Sequence, residues 1–470
     1  MNRLKIGLFS AFLCVGAAAQ AYADEPQTSD QTQSDNKPLV TADQSEDFKK
    51  FRIGGYGEML ARFKDYGLNR YSGTQNGNLK KDHNEISIPR FVITGEYKFS
   101  PKWIMGAEIE FEAGGTGSAY EIESGTGSEN GEYETETEKG GEVALEQFHI
   151  TRLIVPAFNV RVGHMVLPIG LTNTHHEPLY FFSASRPESE TEIIPSTWHE
   201  TGLELFGSFG KGLGQFSYQL MVTTGLNPDG FGKYNWIKKG KQGAFEFDNF
   251  TSPAYTMRLN WTGVPGLRLG FSGLINPKMG KNCEKLNLYD SFDDINLYLY
   301  SFDAQYVNRY VTTRANVLHG YLSNSNAVNY RAVSSASPYG SRKGGVGSHA
   351  LGYNAEIGVN LASFFPGRNF PVIYPFAQYA YYDPQEAMSK SKTVNVSGTA
   401  QAFAPAVKDK RTQVSMWTLG LNWKPLPSLV VKADYAMRQI GTHAVFGKGK
   451  YNSENEFRLG VAYAIYYGKK

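Results

Sequence analysis

Charged side chains recur at every second position along much of this chain. Arg52, Glu58 and Arg62 share one parity; Arg90, Glu96 and Lys98 share the next, and Glu108, Glu110 and Glu112 a third. Further along come Glu200 and Glu204, then Arg258, Arg268, Arg314 and Glu356, and finally Lys432, Asp434, Arg438 and Arg458. Residues two apart in a strand point to the same side, so these sets predict one charged face of a sheet. Its signs nearly balance. Two readings carry equal weight: the charges tune an aqueous passage, or the arginines pair with carboxylates and stiffen a wall.

A second group of reactive residues lies between the strands. His175, His176 and Glu177, with His199, invite a metal reading. Two adjacent histidines on a loop do not both face one metal without a special turn, and no helix-spaced histidine pair supports them. They are read as polar loop residues, and no metal or other cofactor is expected. Residues 114–141 hold Glu121, Glu123, Glu129, Glu132, Glu134, Glu136 and Glu138 among glycines, without the spacing of an EF-hand. A solvated loop is expected there, with loose cation bridging to lipopolysaccharide as the alternative. There is no G-x-S-x-G elbow, no H-E-x-x-H and no P-loop, so no enzyme is expected.

The elements that must position these residues centre on Arg161 to Leu205. The stretch begins as a strand, breaks at Pro168 and Gly170, and resumes as a strand at Thr201. The insert carries Tyr180, Phe181, Phe182, Arg186, Glu188, Glu190 and Glu192. It is long for a loop and too apolar for disorder, which points to a functional role.

The rest of the chain alternates. Phe51, Ile53, Met59 and Phe63 oppose Arg52, Tyr56, Glu58 and Arg62; Trp103, Met105, Ile109 and Phe111 oppose Glu108, Glu110 and Glu112. The rhythm continues to Phe457, Leu459, Val461 and Tyr463. About 16 such segments, most roughly 9 to 15 residues long, suffice to cross an outer membrane when tilted. Three are blurred, at 142–155, 295–309 and 371–382, where bulges shift parity. Connections alternate between short turns, such as Ser100-Pro101 and Val155-Pro156, and long loops, at 64–84, 114–141, 168–198, 225–253, 276–294, 323–349, 383–411 and 439–453. Trp103, Trp261 and Trp423 fall beside short turns, where an aromatic girdle belongs. Backbone groups in lipid have no water to bond, so such strands must close into a barrel. About 16 strands leave a lumen, where about 8 would be filled by side chains.

The N-terminus supplies the compartment. Arg3 and Lys5, the apolar Ile6–Ala19 and Ala21-Tyr22-Ala23 read as a signal peptide over 1–23, followed by a polar leader over 24–50 and a barrel over 51–470. Removing Arg3 and Lys5 takes the 47 basic residues to 45, equal to the 45 acidic ones, so no bulk field argues for nucleic acid. Cys283 is the one cysteine left, which excludes an internal disulfide.

RVGHMVLPIGLTNT, a strand running into a broken Pro-Ile-Gly and a long insert, resembles the matching stretch of the phosphate-selective porin (O and P) family. Strand rhythm and loop order over 51–470 are similar too. The resemblance implies an outer-membrane barrel of 16 strands, usually trimeric, with its third long loop folded into a lumen lined by arginine and lysine. Where that family places basic residues beside the Pro-Gly break, this chain has Met165, Val166 and Leu167. The insert carries four glutamates against Arg186 alone. Rings of one sign set ion preference, so a mixed ring predicts weak selection among small ions and polar solutes, with anion preference as the lesser alternative. A surface adhesin or a barrel lipase are the competing classes. Conductance separates the first from a pore and esterase activity the second.

Overall fold

The computed structural model describes residues 50–468, except 75–76, 81–83, 116–117, 124–133, 140, 196, 243–247, 284–291, 335–344, 391, 397–398, 404–406 and 447–448. The expected signal peptide, and all of the expected leader but Lys50, lie outside the described residues. So do the side chains of the glutamates from Glu121 to Glu138.

Sixteen antiparallel strands close into one barrel. In chain order they are β1 (Phe51–Tyr66), β2 (Asn84–Ser100), β3 (Trp103–Glu112), β4 (Glu142–Val155), β5 (Phe158–Val166), β6 (His199–Phe209), β7 (Phe216–Thr223) and β8 (Ala254–Val264). Then come β9 (Leu267–Asn276), β10 (Leu297–Val307), β11 (Val311–Leu322), β12 (His349–Val359), β13 (Val372–Ala387), β14 (Val414–Leu426), β15 (Leu429–Phe446) and β16 (Gly449–Gly468). Closure is made by β1, which pairs with β16 on one side and β2 on the other. Neither edge of the barrel sheet is left open, as lipid requires. Three two-stranded hairpins stand apart from the barrel sheet, within 64–84, 114–141 and 383–411.

The alternation has the expected sense. Phe51, Ile53, Met59, Phe91, Ile93, Ile109, Met257, Ile357, Leu419 and Tyr435 are exposed on the outside. Arg90, Glu108, Arg258, Glu356, Lys432 and Asp434 are buried inside. An apolar exterior around a polar interior is the arrangement of a membrane-spanning barrel.

Two of the three blurred segments, 142–155 and 295–309, have different causes. In β4 the register passes from Glu108↔Gln147 to Ile109↔Leu145, leaving Glu146 as an extra residue. Val143 faces out before this bulge; Phe148, Ile150 and Ile154 face out after it. β10 contains no bulge and alternates cleanly, but Leu297 and Leu299 are buried while Tyr298 and Tyr300 are exposed. Both faces are apolar there, which erases a hydropathy signal.

Two expected connections differ. The long loop at 439–453 is instead the continuation of β15 and β16, which pair as far as Phe446↔Gly449. The short turn at 365–369 is a wider one, from Asn360 to Pro371, with a 3-10 turn over Leu361–Phe364.

One feature of the interior departs from the expected polar wall. Leu167, Ile169, Ile193, Ile194 and Trp198 pack with Leu226, Phe231, Trp236 and Ile237, and with Leu274, Leu297, Leu322, Val414 and Ile440 from the loop ends of the strands. This dry cluster joins two long segments to the arc of wall from β8 to β15. It accounts for Trp198 and Trp236, which no membrane girdle explains. Trp236 also donates its indole N–H to Gly347 O at 2.9 Å.

Candidate functional site

The 168–198 segment is held by inward-facing side chains from many strands. Arg90 of β2 donates to His176 O at 2.8 Å, and Arg258 of β8 donates to Gly170 O at 2.8 Å. Asn316 of β11 donates to Glu190 Oε1 at 2.5 Å. Glu356 of β12 accepts from Phe182 N at 3.2 Å, and Asp434 of β15 accepts from Ala184 N at 2.6 Å. Lys432 of β15 donates to Pro178 O, Phe181 O and Ser183 O at 2.6, 2.8 and 3.0 Å. Arg62 of β1 reaches Ser185 Oγ at 3.1 Å.

The segment is also braced from within. Gly170 has φ +74°, which lets the chain turn after Pro168. The turn presents the N–H groups of Leu171, Thr172 and Asn173 to the Glu190 carboxylate at 2.7, 2.9 and 3.1 Å. Glu190 follows Glu188 in a one-turn helix, α1 (Glu188–Thr191). Burial pushes the Glu190 carboxyl up to about 7, against the lowering effect of these N–H donors.

His175 and His176 point in different directions. His175 Nε2 lies 3.0 Å from Arg268 of β9, whereas the His176 ring lies 5.9 Å from that of Tyr56 on β1. Burial, then neighbouring arginines, hold both below the usual histidine range, His176 at about 3. His199 is elsewhere, on β6, against His164 of β5 and Lys241. The adjacent pair therefore does not converge on one ion.

The inward charges are mostly paired. Arg52 meets Glu96, and Arg62 meets Glu85 at 3.4 Å. Arg90 lies 3.2 Å from Glu58 and 3.8 Å from Glu110. Glu204 takes Arg161 at 2.7 Å, and Arg314 takes Glu356 at 2.7 Å. Asp303 receives both Arg258 at 2.7 Å and Arg268 at 3.2 Å. Arg458 meets Asp434 at 2.6 Å. Arg438 holds Glu188 at 2.9 Å and also Glu454. Arg186 donates to Thr197 Oγ1 at 2.8 Å. Lys98 is buried and inward; Glu112 is exposed at the loop end of β3. Many inward charges thus meet a partner of opposite sign on a neighbouring strand or on the 168–198 segment.

Asp303, Glu146 and Arg161 were not among the expected inward residues. Asp303 and Glu146 lie in two of the three blurred stretches. For Asp303 the two-residue spacing from Ser301 and Gln305 was the usable signal.

No family model matches the chain. A relative described as an uncharacterized protein of Aquifex aeolicus (strain VF5) is 24% identical over 398 residues, covering 82% of this chain and 75% of its own length. Among solved structures, the outer membrane channel DcaP of Acinetobacter baumannii aligns over 88% of this chain and 97% of its own, with 11% identity and a TM-score of 0.47. The anion-selective porin from Comamonas acidovorans aligns over 89% and 99%, with 10% identity and a TM-score of 0.48. The fold assignment rests on the closed strand order of the chain itself.

Proposed function

We propose that this chain is an outer-membrane porin, a passive and non-catalytic passage for small ions and polar solutes, with the 168–198 segment folded across the lumen as its constriction. The observation that carries this reading is the set of hydrogen bonds from that segment to strands on opposite arcs of a barrel with an apolar exterior. Because inward charges of both signs neutralise one another, selection by sign is weak and phosphate preference is not expected. The packed interior and the apolar cluster over β8–β15 make the passage narrow. The barrel contacts lipid and lipopolysaccharide through its exterior. Trimer assembly is carried over from the family resemblance and is tested by the mass of the solubilised protein.

The experiment is single-channel recording of the refolded full chain in a planar bilayer under a salt gradient. Small unitary steps with a reversal potential near zero are expected. Complete absence of steps overturns the porin reading. A reversal potential near the chloride or phosphate limit overturns weak selectivity alone. Removing 168–198 is expected to enlarge the step, and an unchanged step would mean that the segment is not the constriction.

A further inference from the structure

Three side chains of ligand type meet where the 168–198 segment touches the wall. Glu108 of β3, Glu146 of β4 and His176 of the segment each bring one donor atom, all within 4.8 Å of one another. All three are buried. They come from three separate elements, so no run of sequence announces them.

Glu146 is the bulge residue of β4, with no partner in the register to β3. It is 0% exposed; neither of its carboxylate oxygens has a hydrogen bond of good geometry, and its polar neighbours are the Thr197 hydroxyl and the Glu108 carboxyl. A buried carboxylate in that state is costly unless something neutralises it. Glu108 is fixed beside it by the Tyr56 hydroxyl at 3.1 Å and by the Gln147 amide.

His176 is set up independently. Its Nδ1 lies 3.0 Å from Asn173 O. A carbonyl oxygen only accepts, so Nδ1 carries the proton and Nε2 keeps its lone pair. This is the outer-shell contact that orients a metal-ligating histidine.

Carboxyl groups outnumber guanidinium groups here. Glu58, Glu108, Glu110 and Glu146 gather around Arg90 and Arg186. Four carboxylates against two guanidinium groups leave an excess of two negative charges when all are ionised, and Glu177 adds to the field at Glu108.

We propose that Glu108, Glu146 and His176 bind one divalent transition-metal cation, which ties the segment to the β3–β4 wall. One imidazole nitrogen with two carboxylate oxygens suits Zn²⁺ or a similar ion. Ca²⁺, which takes six or more oxygens, is not matched by this donor set. The site stands on the fold and not on what permeates, so its failure leaves the porin reading untouched. The competing account is that Glu108 and Glu146 share a proton and hold no metal.

The test uses the full chain, refolded in detergent, stripped with chelator and equilibrated with Zn²⁺. Bound metal is counted by mass spectrometry, and Co²⁺ replaces Zn²⁺ for visible absorption spectra. About one equivalent per chain is expected, with binding weakened at least about tenfold in Glu146→Gln and His176→Asn and unchanged in Glu112→Gln. Heat-modifiable gel migration establishes that each variant is a closed barrel. If either variant does not close, the native chain decides: ligand-field bands upon Co²⁺ addition support the site, and a spectrum identical to free Co²⁺ overturns it. Negligible retained Zn²⁺, or equal affinity in native, Glu146→Gln and His176→Asn proteins, overturns it as well.

Discussion

Lys432 and Phe181 are joined twice: Nζ donates to Phe181 O at 2.8 Å and sits 4.2 Å from the centroid of the same ring. The remaining two protons go to Pro178 O and Ser183 O. One strand residue therefore gathers three carbonyls of a segment some 250 positions earlier in the chain. Lys432→Met leaves those carbonyls without a donor and is expected to cost about 3 kcal/mol. The checks are the denaturant midpoint and limited proteolysis, with new cleavage expected around 178–184. A midpoint equal to that of the native chain would show that the contact does not secure the segment.

Asp303 is shared by two arginines. Arg258 binds both of its oxygens, at 2.9 and 2.7 Å, and Arg268 binds Oδ1 at 3.2 Å. Arg258 also bonds Gly170 O, so it couples the wall to the start of the segment. Arg258→Met strands part of the Asp303 charge in a dry site, with an expected loss of about 3–5 kcal/mol. Adding Asp303→Asn should restore some of that loss, because the uncompensated charge is removed. Chemical unfolding of the single and double variants tests this coupling; a double variant as weak as the sum of both single losses would contradict it.

Gly170 has a steric role as well as a conformational one. A Cβ there would lie 2.5 Å from Glu190 Oε2 in a backbone with φ +74°. Gly114, with φ +85°, has nothing within 4 Å of the same position and isolates the conformational part. Each Gly→Ala change is expected to cost about 1–3 kcal/mol through backbone strain. Gly170→Ala should also displace Glu190 from its N–H donors and increase proteolysis of the segment, whereas Gly114→Ala should not. Equal protease resistance of the two variants would remove the steric claim.

Glu190 predicts a pH dependence. Its carboxyl is raised from an ordinary value near 4.5 to about 7. A group raised on folding holds its proton more tightly in the native state. Its contribution is fully present below about 4.5 and is lost as the pH rises through about 7. The size is on the order of 3 kcal/mol at most. Thermal unfolding between pH 4.5 and 8 should show this decline, and Glu190→Gln should flatten it. A native profile with the opposite slope in that window, unaltered by Glu190→Gln, would refute the assignment.

The strand count, the facing of the wall and the order of short and long connections were legible because each depends on neighbours in sequence. Arg90 and Phe91 take opposite faces by the geometry of an extended chain alone. Where a strand gains a residue, as at Glu146, or turns apolar on both sides, as at Leu297 and Leu299, that local rule loses its information. The loop expected at 439–453 failed similarly: polar residues there extend β15 and β16, and a strand outside the apolar belt needs no hydropathy pattern.

The sequence by itself determined the alternation of inward and outward side chains along the regular strands, since alternation is a property of the extended backbone, but not at the β4 bulge or along β10, where Glu146 and Asp303 turn inward. Only the tertiary structure decided what those side chains do there. Pairings such as Lys432 with Phe181, Arg258 with Asp303 and Glu108 beside Glu146 and His176 join residues that are distant along the chain or set in different elements. Closure of the barrel and the path of one long segment bring them together, and neither distance nor partner is encoded in local spacing.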